Sequence, residues 1–487
     1  MRESGDRNFP QAPAVVHLVG IGGIGMSGLA QLLRWAGHEV SGSDRALENP
    51  ENTELFQRLS RQGIRLFPQD GSGITAMSPA CLVYSTAIED DNPDFVAGKD
   101  ISKWHRSDAL AALIARRGGS KTIAVTGSCG KTTVTSMLAD ALAAAGQDPT
   151  AIVGGMVKSF ADDRFPGNFR PGKGPFVVFE ADESDKSLLT FEPDYALVLN
   201  IGTDHYSKEE LVEVFEKFLL RTRCGAIIES EVLNLITPSV LSHLASVMVV
   251  SDGDEKDGGG APGRRQWRLA RYSTECGRLS AQFSNGDRTI SAALPTPGRH
   301  NAFNAMAVVA AFDLLGLEPA LVAECVGGFK GTARRFDRIG VTSKGAVVYD
   351  DYAHNVEKIC CCVKVAQEAA PGKVIVVFQP HGFKPLGFMR DELFASLEKT
   401  LRPQDRFIFL PVFYAGGRSS FTPTSEEVCS GYAPQSAVKN RYLSFSDREA
   451  AGGVVKGEAG EGDIVLVMGA RDNSLTLWAA SMLAEKQ

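Results

Sequence analysis

Two glycine-rich turns and a group of strand-end carboxylates and imidazoles hold the chemically capable residues of this sequence. The segment TGSCGKTT, Thr126 to Thr133, joins the apolar run KTIAVTG to the helical pattern TSMLADALAAAG. Gly127 and Gly130 let successive amides face an anion, Lys131 neutralises phosphate charge, and Thr132 and Thr133 offer hydroxyls. Thr132 is the hard oxygen ligand a Mg²⁺ would take. Together these are the parts a triphosphate with its metal requires. Val125 stands where the usual phosphate-loop pattern has its first glycine, so the match is incomplete and a loop without a ligand is the competing reading.

The second turn holds Gly20, Gly22 and Gly25 between the apolar run AVVHLVG and the helical MSGLAQLLRWAG, with Asp44 ending the next strand-like run, EVSGSD. That context suits a diphosphate at a helix N-terminus, a dinucleotide such as NAD being the commonest occupant. An empty tight turn is the bland alternative.

Two further motifs follow strand candidates. FEADESD places Glu180, Asp182, Glu183 and Asp185 after PFVVFEAD, and NIGTDH places Asp204 and His205 after YALVLNI. Ends of neighbouring parallel strands open on one crevice, so Glu180 and His205 beside the phosphate loop are candidates for a second divalent cation. Acidic strand ends also serve as solvated caps, and an isolated histidine is often structural.

The elements that must position these residues alternate apolar runs with helical patterns along most of the 487 residues, which predicts an α/β protein of three domains. Residues 1–118 open with a Rossmann-like strand–helix–strand unit. Residues 119–330 form a P-loop-type nucleotide domain. Residues 331–487 restart with AVVYDDYAHN, KVIVVFQPH, DRFIFLPVF and DIVLVMGA as a second Rossmann-like domain. The polar, glycine-rich stretch from Ser251 to Arg265 is expected to be an exposed loop.

With 51 basic against 58 acidic residues the chain carries a formal charge of −7 and no basic blocks, which argues against general nucleic-acid binding. The sequence shows no long uninterrupted apolar stretch and no signal-peptide pattern near Met1, so neither membrane insertion nor secretion is expected. Nine scattered cysteines, three of them consecutive at Cys360, Cys361 and Cys362, suit reduced thiols, and the cytoplasm is the expected compartment. The triplet falls in an amphipathic pattern where neighbours point apart, so packing is expected of it and not a metal site. Cys129, at a helix start beside a lysine, admits a redox reading that bound nucleotide would oppose.

In order and spacing, HLVGIGGIGMSGLA, SGSD, YSTAIEDDNPD, HRSDALAALI, TGSCGKTT, EADESD, NIGTDH, GRHNAFNA, FKGTARRFD, YDDYAHN and FQPH resemble the Mur ligase family, on its UDP-N-acetylmuramate–L-alanine branch. The resemblance covers nearly the whole chain. It implies ATP-dependent amide formation through an acyl phosphate, with UDP-N-acetylmuramate and an amino acid, L-alanine foremost, as substrates, and Mg²⁺ as the metal.

Carried over to this sequence, Gly22, Gly23 and Gly25 meet the diphosphate and Asp44 lies near the uracil. Gly127, Gly130, Lys131, Thr132 and Thr133 hold the phosphates. Thr132 takes the first Mg²⁺, and Glu180 with His205 the second. Asn301 and Asn304 meet the adenine, Arg335 the phosphates, and Asp351 the ribose or its neighbourhood. Tyr352, His354 and His381 line the amino-acid side, with His354 and Arg335 counted as catalytic beside Lys131 and His205.

The sequence departs from the family pattern in three places. Ser128-Cys129 stands where Thr-His is usual, and Asn355-Val356 where a histidine and a proline are usual. After FQPH, the family's arginine pair is absent and the chain reads Gly382-Phe383-Lys384-Pro385. Lys384 or Arg390 then substitutes in amino-acid binding, or the amine differs; a lysine offers a point charge in place of a bidentate fork. Three other readings stay open: a Mur-type ligase with another amine or acceptor such as a recycled peptide, a non-catalytic nucleotide and UDP-sugar sensor, and a nicotinamide-dependent dehydrogenase.

Overall fold

A computed structural model describes residues 8–183, 185–202, 206–252, 264–275, 277–414 and 420–484. His205, Asp204 and most of the Ser251 to Arg265 stretch lie outside the described residues. Of that stretch, Ser251 and Asp252 end a strand and Arg265 begins another, so its edges belong to the sheet and not to a loop.

The protein is α/β, with three separate sheets. The first is parallel, in the spatial order Arg65–Pro68, Glu39–Asp44, Val15–Val19, Cys81–Tyr84, Ser102–His105. The second has ten strands. Its parallel centre runs Ser246–Asp252, Gly225–Glu229, Tyr195–Val198, Lys121–Thr126, Phe176–Glu180, Thr150–Ile152, with the short antiparallel strand Phe169–Arg170 at one edge. Beyond the other edge lie Arg265–Glu275, Arg278–Ser284 and Thr289–Leu294, whose alternating burial marks a sheet covered on one face only. The third runs Asp337–Val341, Val347–Asp351, Ile464–Gly469, Val374–Gln379, Arg406–Phe409, Tyr442–Ser444, antiparallel only at its first pair.

Contacts divide the chain into two compact units: residues 1–272, 281–293 and 302–332, and residues 273–280, 294–301 and 333–487. The first unit contains the first sheet and the centre of the second, and one buried cluster from Phe9 to Val249 runs through both. The second contains the third sheet, with apolar clusters on its two faces. Runs such as VIVVFQ and IVLVMG are buried at every position, the pattern of parallel strands covered by helices on both sides. Among the described residues no helix is long and apolar enough to cross a membrane.

Within the first unit, the helix Ile24–Trp35 that follows the first glycine turn is tied to the edge of the second sheet by buried amides. Asn168 Nδ2 donates to Ile24 O at 2.7 Å and to Ser27 Oγ at 2.8 Å, and Gln31 Nε2 donates to Asn168 Oδ1 at 2.9 Å. Asn168 is fully buried. Removing its amide strands at least two buried partners, so Asn168→Ala should destabilise the protein by about 2–4 kcal/mol, read from urea unfolding midpoints.

Candidate active site

The phosphate-loop candidate is assembled from three parallel strand ends. Lys121–Thr126 leads into the loop, and Phe176–Glu180 and Tyr195–Val198 flank it as the strand's two neighbours. The loop is fastened to the segment after Tyr195–Val198: Cys129 N–H donates to Asn200 Oδ1 at 2.8 Å, Asn200 Nδ2 returns a bond to Cys129 O at 2.9 Å, and Gly202 N–H donates to Ser128 Oγ at 2.7 Å. Ser128 and the backbone of Cys129, the two departures in this loop, thus shape it. Gly127 and Gly130 have φ of +135° and +84°, and a Cβ on Gly130 would lie 2.9 Å from Asn304 Oδ1. Glycine is required at both positions, and Asn304, expected at the adenine, lies against this loop.

Lys131, Thr132 and Thr133 form the first turn of the helix Lys131–Ala144. Lys131 Nζ donates to Gly127 O and to Glu183 Oε2, each at 2.7 Å. Burial works against its charge, but Glu183, Asp182 and Glu180 outweigh it and hold the ammonium above the usual lysine range. Burial pushes the Glu183 carboxyl up. Glu183 was legible as part of the acidic motif, but only the fold shows it as the partner of Lys131.

Thr132 Oγ1 donates to Glu180 Oε1 at 3.0 Å, and Glu180 Oε2 accepts from Gly154 N–H at 2.9 Å. A hydroxyl and a carboxylate side by side are hard oxygen donors that fit Mg²⁺. This metal commonly takes one or two protein oxygens and completes its shell with phosphate and water. Among the described residues no group of three or more His, Cys, Asp or Glu is arranged to hold a metal on protein ligands alone.

At the first glycine turn, Gly22 N–H donates to Asp44 Oδ2 at 2.7 Å and Ala46 N–H to Asp44 Oδ1 at 2.9 Å. Asp44 therefore braces the turn itself. Gly23 precedes the helix Ile24–Trp35 as its N-cap. A Cβ on Gly25 would come within 2.6 Å of Arg106 Nη1. Arg106, which was not singled out from sequence, also lies 3.6 Å from Asp182 and 3.8 Å from Asp185, so it connects this turn with the acidic motif of the second sheet.

The second unit holds the other candidates. Tyr352 receives the guanidinium groups of Arg334 and Arg335 over its ring at 5.1 and 5.3 Å. Its ring is 5.7 Å from that of His354, which is 5.0 Å from that of His381. These four candidates, Arg335, Tyr352, His354 and His381, are therefore neighbours.

Asp351, expected at the ribose or its neighbourhood, accepts from Phe336 N–H and Ala353 N–H, each at 2.7 Å. It fixes the backbone that carries Arg335 and His354. Asn301 is buried and donates to Pro297 O at 2.7 Å.

Among the described residues, neither Lys384 nor Arg390 pairs with His354 or His381. Both lie on the helix Phe383–Thr400, Lys384 with its ammonium 5.6 Å from the exposed Phe388 ring and Arg390 3.9 Å from Asp391. A residue absent from the sequence reading is closer: Arg471 donates its backbone N–H to Tyr352 Oη at 3.3 Å and its charge acts on His381. The only sequence signal was its place just after the strand-like DIVLVMGA.

Burial lowers the pKa of His354 to about 4 and also lowers those of His381 and His300. Between about pH 6.5 and 4 the unfolded chain binds a proton that folded His354 refuses, so stability is complete above pH 6.5 and falls as pH drops through this window. His354→Gln should flatten the fall in chemical-denaturation midpoints over this range, leaving the share of His381 and His300. An unchanged slope would contradict the burial of His354.

Residues 15–117 match the Mur ligase family catalytic domain, residues 125–312 the Mur ligase middle domain, and residues 334–471 the Mur ligase glutamate ligase domain. The UDP-N-acetylmuramate–L-alanine ligase of Sinorhizobium medicae is 34% identical over 487 residues, covering 97% of each chain. That of a Chelativorans species is 33% identical over 492 residues, covering 98% of this chain and 99% of its own. Among solved structures, the UDP-N-acetylmuramate-alanine ligase of Thermotoga maritima superposes with a TM-score of 0.74 at 27% identity over 96% of this chain and 97% of that one. A murein peptide ligase from Psychrobacter arcticus, 20% identical with a TM-score of 0.66 over 97% of this chain and all of its own, shares the fold. With three domain matches in order and relatives aligned along almost its full length, the chain belongs to the Mur ligase family.

Proposed function

We propose that this protein is an ATP-dependent ligase that joins L-alanine to UDP-N-acetylmuramate in peptidoglycan precursor synthesis. The observation that carries this reading is the phosphate loop, with the buried, charged Lys131 at a helix N-terminus next to the Thr132–Glu180 oxygen pair. The names of the full-length relatives supply the substrates. The residues group into a UDP-sugar domain at 1–118, an ATP domain at 119–330 and an amino-acid domain at 331–487.

In the reaction, a carboxylate oxygen of the muramic group takes the γ-phosphoryl group of ATP and ADP leaves. The amine of alanine then attacks the acyl phosphate, the C–N bond forms, and phosphate departs as the amine loses a proton. The enzyme's task is positioning and charge neutralisation more than nucleophilic catalysis. Lys131 and the loop amides meet the phosphates, aided by Arg335. Gly22, Gly23 and Gly25 bring the helix Ile24–Trp35 to the diphosphate of the UDP-sugar, with Asp44 bracing their turn. Thr132 and Glu180, with His205, would hold Mg²⁺, which supplies neutralisation of charge on the transferring phosphoryl group. Burial keeps His354 and His381 neutral, so they can meet the incoming amine as uncharged hydrogen-bond partners that do not repel its ammonium form.

The deciding experiment measures ADP release with Mg-ATP and UDP-N-acetylmuramate across single amino acids, with the product confirmed by mass. Release only with another amine would favour the ligase of altered specificity; ATP binding without release would favour the sensor. Lys131→Ala should lower kcat by about 10²–10³-fold, and activity that survives this change would refute the phosphate-loop assignment. Chelation of divalent cations should abolish ADP release and Mg²⁺ should restore it. Release that persists in excess chelator would remove the metal from the Thr132–Glu180 pair.

A further inference from the structure

The missing arginine pair after His381 leaves open what recognises the carboxylate of the incoming amino acid. Sheet register narrows the choice. In the third sheet the strand Ile464–Gly469 lies between Val347–Asp351 and Val374–Gln379, parallel to both, with Met468 opposite Asp351 and Gly469 opposite Gln379. Tyr352, Arg471 and His381 therefore leave the carboxyl ends of three adjacent strands at nearly the same level, and Arg471 comes from the middle one.

The backbone at Arg471 is unusual. Its φ is +69°, in the left-handed region that favours glycine, yet the residue is an exposed arginine. The surrounding turn is pinned on both sides. Asp472 N–H donates to Ala470 O at 2.9 Å, the Asp472 carboxylate accepts from Arg448 and from Ser474 N–H, and Arg448 continues to Gln379 Oε1 at 2.9 Å. On the near side Arg471 N–H donates to Tyr352 Oη. A strained, polar residue held in place by its neighbours at a cluster of candidate groups is a recurrent mark of a functional position.

Its charge is also available. Among the described residues no carboxylate pairs with the Arg471 guanidinium. Arg334, by contrast, is bonded to Gly469 O and Asp472 O and lies 3.4 Å from Asp350. Lys384 rests against Phe388, and Arg390 is next to Asp391. A guanidinium has the two-pronged donor geometry that an α-carboxylate fits, which the ammonium of Lys384 lacks.

We propose that Arg471 is the specificity residue that binds the α-carboxylate of the amino-acid substrate, filling from the neighbouring strand the role left open after His381. The assignment rests on the ligase reading above. It makes Arg471 a binding group for one substrate, with no part in holding ATP or the UDP-sugar.

The test compares the unsubstituted enzyme with Arg471→Gly, which removes the side chain while suiting the left-handed backbone, and with Arg471→Lys. L-Alanine and L-alaninamide serve as amines, ADP release as the readout. Arg471→Gly should unfold at no lower temperature than the parent. It should raise KM for L-alanine roughly 10- to 100-fold, with KM for ATP and for UDP-N-acetylmuramate held within about twofold. KM for L-alaninamide should stay near the parent value, and Arg471→Lys should recover part of the loss.

An unchanged KM for alanine in Arg471→Gly, or equal losses for alanine and its amide, overturns the assignment. So does a selective rise of the alanine KM in Lys384→Ala with none in Arg471→Gly. Failure of the ligase reading looks different: the unsubstituted enzyme would then release no ADP with any amino acid, and the proposal would fall with it.

Discussion

Lys131 carries a positive charge into a place that water reaches poorly, and the phosphate-loop region is arranged around keeping that charge. An isolated buried ammonium would lose its proton. Here Glu183 contacts it directly, Asp182 and Glu180 add their fields, and the pKa rises despite burial. Three acidic residues within one short motif thus have a common purpose in the folded chain. An incoming triphosphate can take over the same task, since its charge exceeds that of a single carboxylate and the loop amides add their dipoles.

Parallel strands impose the second constraint. Each delivers its functional residues at the carboxyl end, so groups far apart in sequence converge wherever strands are neighbours. Val125 is registered with Leu197 and with Glu180, which places Lys131, Glu180 and Asn200 around one loop. The same rule in the third sheet assembles Tyr352, His354, His381 and Arg471. The arrangement in both places depends on register, because a shift by one residue would turn alternate side chains to the other face.

Much of this could be read in the sequence, since glycine turns between apolar runs and helical patterns are local signals. The fold class and the composition of the phosphate loop follow from them, and the Cys360 to Cys362 triplet divides between exposed and buried positions as helix geometry requires. Partners were harder to read than positions. Asp351 has the residue type to meet a ribose, yet its oxygens bind the Phe336 and Ala353 amides. Asp44 likewise braces Gly22 and Ala46. Backbone amides have no sequence signature, so a carboxylate that serves them looks the same as one awaiting a ligand. The three strands between Arg265 and Leu294 were missed because they extend a sheet edge and bury only one face, which leaves no continuous apolar run.

The substitution after His381 shows why a motif can be lost along the chain and retained in space. Lys384 and Arg390 were the natural replacements because they are near in sequence, but a helix begins at Phe383 and carries both onto its exposed surface. In a parallel sheet the position beside His381 is equally close to the end of the next strand, 90 residues further along. A cation supplied there needs a backbone that turns back toward Tyr352, and Arg471 meets that need by adopting a conformation that costs its residue type about 1–3 kcal/mol. Packing alone does not ask for such a cost at an exposed position, whereas a guanidinium with no carboxylate partner among the described residues, carried on a backbone tied to Tyr352 Oη, gives it a purpose.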